Sequence, residues 1–262
     1  MSRQRQPRKP DRAPIRKAHP TRTSASGPGE RVASTRDVAI YFREDCRTLR
    51  DSLQLEMVVA QYCLQIRDVR TTAGVPVGDA VGVGVVAELE GHGDPLSHAI
   101  LHGVAHVGAG EMAKRSAAAA ARLGERGIGL PEEFADVGQA TALGAWRTDA
   151  GGFEGEYALF ADFEHPRGVG HAVALFVDPR RGGVVKHLGL LSPISEMGPG
   201  DPFHPEAMET VGISAAGAQI GELLERSYGE SAVHSDDFRV LIATARARSM
   251  VPEGVAAGPG AV

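Results

Sequence analysis

An α+β fold is what this sequence predicts, on three observations. Apolar residues recur at helical spacing through the first half. Three segments of period-two alternation follow one another between residues 156 and 191. Helical spacing then returns in the last quarter. A helical stretch over 33–138, a β-meander over 140–191 and helices over 205–250 therefore make one domain, 33–250, with a leader over 1–32 and a tail over 251–262.

The leader is rich in Arg, Pro, Gln and Ser and has almost no large apolar residue. Such a segment cannot offset its ordering entropy, so disorder is expected there and in the tail. Residues 1–30 carry eight basic and two acidic side chains, +6 in a chain whose total is −5, so the remainder carries −11. That asymmetry suggests an anionic partner for the leader, an acidic protein or nucleic acid. No aromatic residue interleaves to stack on bases, and a merely solubilising leader is the competing reading.

Composition also excludes. Two cysteines, Cys46 and Cys63, allow neither a disulfide framework nor an all-cysteine zinc site. The basic N-terminus lacks the apolar core of a secretory signal. No run of eighteen apolar residues exists, so no membrane span is expected and the cytoplasm is the expected location.

In chain order, Ser34 or Thr35 is a helix N-cap, with Asp37 in the first turn. Val38, Phe42, Cys46, Leu49 and Leu53 form one stripe, and Leu55, Val59, Tyr62, Ile66 and Val69 a second, offset one. Two helices or one bent helix satisfy both, with packing inside the chain favoured over a homodimer seam. Gly82-Val83-Gly84-Val85-Val86-Ala87 has the spacing of a dinucleotide fingerprint, but Pro76 and Gly78 interrupt the segment before it and the helix after it is short. A packed helix with close-approach glycines is expected instead. Asp94-Pro95 starts another helix, whose His98, His102 and His106 lie four residues apart. A solvated polar face is the expectation for them; a metal there would need a ligand from elsewhere. Residues 109–126 form a further helix ending at Gly127, and Leu130–Phe134 a short one.

In the meander, Tyr157, Leu159, Ala161 and Phe163 share one face and Glu156, Ala158, Phe160 and Asp162 the other. His165–Gly170 is turn material, so His171, Val173, Leu175 and Val177 should lie beside the first set. Asp178–Gly183 is a second turn and Val184–Leu191 a third strand. Its register is open. Val184, Leu188 and Leu190 on the core face would put His187 with Asp178, Asp162 and Glu156, whereas a one-residue bulge would put Lys186 there.

High-specificity motifs are absent: no G-x-S-x-G, P-loop, C-x-x-C or EF-hand loop occurs. What remains is carboxylates and imidazoles near the meander. Asp162, Asp178 and His187 are candidate catalytic groups, and His165, His171, Asp162 and Glu164 candidate metal ligands. Structural roles are favoured for all of them, with a metal-assisted hydrolase, and so a divalent cation, as the alternative.

The run from His171 to His187, HAVALFVDPRRGGVVKH, resembles an H-x-L-x-V-x-x-D-x-x-x-G-G-x-x-K-D meander motif of a family of uncharacterised actinobacterial proteins. The resemblance spans roughly residues 94–191, with His187 where the motif has Asp. It implies the same architecture and a bacterial cytoplasm, and it implies no activity. A non-catalytic binding protein without a cofactor is the functional expectation.

Overall fold

A computed structural model describes residues 34–149, 155–201, 203–228 and 236–249. The leader, the tail and residues 150–154 and 229–235 lie outside the described residues.

Helix α1, Thr35–Cys46, begins where its sequence says it should. The Ser34 hydroxyl accepts from the Asp37 N–H at 3.2 Å while the Asp37 carboxylate accepts from the Ser34 N–H at 3.0 Å. The two offset stripes are two helices. Asp51 caps α2, Ser52–Arg67, by accepting from the Gln54 N–H at 2.8 Å. Both stripes are spent inside the chain, since Phe42, Cys46, Leu55 and Val59 are buried in one helical core. Helix α3, Gly78–His92, passes so close to its neighbours that a Cβ on Gly82 would lie 2.9 Å from the Met112 sulfur, and one on Gly84 2.7 Å from Thr35 Cγ2. The glycines of the rejected dinucleotide spacing are thus helix-packing glycines. Helix α4, Pro95–Val107, has Asp94 as N-cap, and α5 is Gly110–Glu125.

Strands β1 (Thr141–Asp149), β2 (Tyr157–Glu164), β3 (Gly170–Asp178), β4 (Val184–Leu191) and β5 (Glu209–Thr210) form one antiparallel sheet in the order β4-β3-β2-β1-β5. The β2–β3 register is the expected one, with Tyr157 opposite Val177 and Phe163 opposite His171. Between β3 and β4 the register slips, so that Phe176 faces His187 and Val177 faces Val185. Lys186 is the extra residue, and a bulge of this kind puts two successive side chains on one side. Lys186 and His187 therefore both lie on the outer face. Val185, not the expected Val184, joins Leu188 and Leu190 toward the core.

Helices α6, Ile213–Tyr228, and α7, Asp236–Ser249, cover the inner face. Leu159, Phe163, Leu175 and Val177 pack there against Ile220, Leu224, Ile242 and Ala245. Helix α7 lies in turn against α2, which joins the helical half to the sheet. The outer face is also covered. Ile194, Met197, Phe203 and Met208 pack onto Phe160, Ala172, Ala174 and Phe176.

Candidate functional site

Four ionisable side chains meet where α2, the end of β2, the start of β3 and the end of α7 converge. Glu56 lies on the buried side of α2, one turn after Ser52. His165 follows β2 and opens a tight turn, in which its carbonyl accepts from the Gly168 N–H at 2.9 Å. His171 is the second residue of β3, stacked on Phe163 and 5.8 Å from the His165 ring. Arg248 ends the inward side of α7. Their exposures are 1%, 1%, 2% and 4%, so no solvent reaches them.

Three side chains converge on the Arg248 guanidinium. Its Nη2 donates to Glu56 Oε2, its Nε–H donates to His171 Nε2 at 2.9 Å, and Nη2 lies 3.5 Å from His165 Nε2. His165 Nε2 is 3.3 Å from Glu56 Oε2, and the Gly138 N–H donates to Glu56 Oε1 at 2.7 Å. Gly138 has φ +76°, and a Cβ there would lie 2.2 Å from the His106 ring, so glycine is required for the N–H to point this way.

Charge and burial fix the protonation states. Burial by itself would raise the Glu56 carboxyl; the His165 hydrogen bond, the Arg248 and His165 charges and the Gly138 N–H hold it down to about 2. For His171, burial first and the Arg248 charge second push the imidazole down to about 3, so it is neutral. Because Arg248 donates to its Nε2, the ring proton sits on Nδ1, and that atom has no hydrogen-bond partner. The arrangement is a carboxylate–guanidinium pair sealed between two imidazoles. It can hold helices to a sheet.

The expected site residues are distributed otherwise. Asp162 is fully buried, and its carboxylate accepts from Ile194 N–H (2.8 Å), Ser195 N–H (2.9 Å) and the Ser195 hydroxyl (2.7 Å). It anchors the segment that covers the outer face. Asp178 caps the turn Pro179–Arg181 by accepting from the Arg180 N–H at 3.0 Å. His187 is exposed on the edge strand β4, near the Phe176 ring. Asp162 pairs with Ala172, six residues along β3 from Asp178, which separates those two carboxylates by about 20 Å. The expected open charged surface is therefore corrected. The outer face carries Phe160 and Phe176 as well as carboxylates, and a distant segment covers it. Glu156 is paired with Lys186.

The expected ligand set is divided by the sheet. His165 and His171 face inward to Glu56 and Arg248, while Asp162 belongs to the outer face and Glu164 closes β2 half-buried beside Gly170. Among the described residues no group of three or more His, Cys, Asp or Glu is arranged to hold a metal ion. The histidines of α4 do not form a solvated face either. His98 is buried, its Nδ1–H donating to the Ile128 carbonyl at 2.6 Å, because α4 is surrounded by α2, α3 and α5. His102 is half-buried and held low by burial and by the neighbouring His106 and His98. His106 is exposed and bonds the His102 carbonyl at 2.9 Å.

Glu56 and Arg248 are absent from the sequence-based candidates. The one local signal was the placement of Glu56 within Leu55-Glu56-Met57-Val58-Val59-Ala60, a carboxylate inside an apolar run. Arg248 reads from sequence as a favourable charge at a helix C-terminus.

The fold and the cluster define an α+β protein whose meander sheet is covered on both faces and whose only sealed ionic group joins helix to sheet among the described residues. No protein-family model, no curated protein and no solved structure matches the chain.

Proposed function

We propose that this chain is a non-catalytic binding protein whose basic leader meets an anionic partner. The observation that carries the reading is the charge split, +6 over residues 1–30 against −11 over the remainder. The internal geometry supports it. Asp162 and Asp178, the carboxylates of the hydrolase alternative, are each engaged in intramolecular hydrogen bonds. A bacterial cytoplasmic setting belongs to the same proposal and rests on composition and the meander-motif resemblance. No described helix is long and apolar enough to cross a membrane.

The test is binding of the full chain, and of the chain lacking residues 1–30, to a fluorescent single-stranded oligonucleotide and to a poly-glutamate peptide over a salt series. Eight basic residues allow a log–log salt slope no steeper than about −6 on single-stranded nucleic acid. Deletion should abolish binding and its salt dependence together. Undiminished binding after deletion would remove the leader from the function. Stoichiometric transition metal in the purified protein would favour the hydrolase instead.

A further inference from the structure

A cleft of about 250 Å³ opens where the end of α2, the start of α3, the α4–α5 junction, α6 and α7 meet. We propose that it binds a small zwitterion with an apolar side, of the size and chemistry of an aliphatic or aromatic amino acid. The site is separate from the leader and does not depend on the reading given to it.

Size sets the first limit. Pockets for drug-sized ligands run from roughly 300 to 1,000 Å³, so the occupant here is smaller than those. The wall sets the second. Leu64, Met112, Leu224 and Ile242 line the cleft, and burying an apolar side chain against them is the main source of affinity. The rim sets the third. Arg67, Asp79, Glu225 and Arg246 all line the opening and are all exposed. Each sign is present twice, so the rim is neutral overall and complements neither a simple anion nor a simple cation. A purely hydrocarbon ligand would match the wall but make no contact with the charged rim. A molecule carrying both an ammonium and a carboxylate beside an apolar body complements wall and rim together. Arg246 is already paired with Glu225, so a ligand joins an existing ion pair and does not have to neutralise a lone charge. Exposed charges contribute modestly, which puts the expected Kd between about 10 µM and 1 mM.

The experiment is calorimetric titration of the full chain with L-leucine and L-phenylalanine, alongside 4-methylpentanoate, which lacks the ammonium, and 3-methylbutylamine, which lacks the carboxylate. Saturable binding of at least one amino acid is expected, with each single-charge analogue weaker by about two- to fivefold. Ile242→Trp should fill the cleft and abolish binding. The exposed change Asp79→Asn, which has no core to disturb but removes the first-turn charge of α3, should weaken binding while lowering Tm by no more than about 4 °C. Absence of saturable binding by both amino acids, equal binding of the analogues, or unchanged affinity in Asp79→Asn would overturn the proposal.

Discussion

Removing one partner of the Glu56–Arg248 pair should destabilise the protein far more than an ordinary point substitution. In Glu56→Gln the guanidinium stays 4% exposed beside a neutral imidazole and loses its only anionic acceptor in the cluster. Breaking a buried pair in this way costs about 3–5 kcal/mol, because the remaining charge keeps its desolvation penalty. For an ordered body of this size that is a fall in Tm of roughly 6–20 °C. Arg248→Met strands a carboxylate instead, but Glu56 keeps the Gly138 N–H and the His165 ring, so the loss should be smaller, about 2–3 kcal/mol.

The double variant should cost less than the two single losses together, by a coupling of about 2 kcal/mol, since neither charge is then left alone. Urea unfolding of all four proteins, followed by near-ultraviolet circular dichroism with m-values compared, measures the cycle. Single losses below about 1 kcal/mol, or strict additivity, would show that the cluster is solvated in solution and that the sealed arrangement is wrong.

Acid should destabilise the fold before ordinary carboxylates titrate. His171 is depressed to about 3 from an unfolded value near 6.5, so its contribution is complete above pH 6.5 and fades as pH falls toward 3. A drop of about 2–3 kcal/mol between pH 6.5 and 4.5 is expected in urea midpoints, reduced in His171→Gln. Glu56, held at about 2, adds a second loss below about pH 4.3. Asp162→Ala should cost about 2–4 kcal/mol and expose the outer face, read as increased binding of a hydrophobic dye; no dye signal would mean that Ile194 and Ser195 hold without it. Gly138→Ala forces a side chain into positive φ and onto the His106 ring, and a loss of at least about 2 kcal/mol in thermal unfolding is expected. In the Glu56→Met, Arg248→Met double variant, amide exchange in α7 should quicken more than in α4; equal protection would refute a placing role for the pair.

Local signals carried most of the architecture. Ser34, Asp51 and Asp94 cap helices because a short polar side chain satisfies N–H groups within three residues, and that relation is written in adjacent positions. The β2–β3 register follows from alternation and a turn, which are equally local. Pairings between distant segments have no such signature. Glu56 and Arg248 meet across 192 residues, and β5 is two residues long, too short for any period to show. The covering of the outer face by 194–208 turned an expected charged surface into a second small core. The Lys186 bulge was one of two registers that the alternation left open, since Val184 and Val185 serve the core equally well.

A buried ion pair is weak evidence for stability in itself, because apolar replacements of the same shape often do as well. Its value here lies in direction. Ile242 and Ala245 of α7 pack into the inner core, and apolar contacts of that kind are non-directional. A guanidinium is directional in its hydrogen bonds. Moved by a turn, it would withdraw its hydrogen bonds from Glu56 and His171 and would itself be buried without an acceptor, at a cost of several kcal/mol. The same displacement would carry Ile242 and Arg246 away from the cleft they line. The sealed cluster and the open cleft are thus linked through one helix. The buried charged group fixes one wall of the cleft proposed to take a ligand.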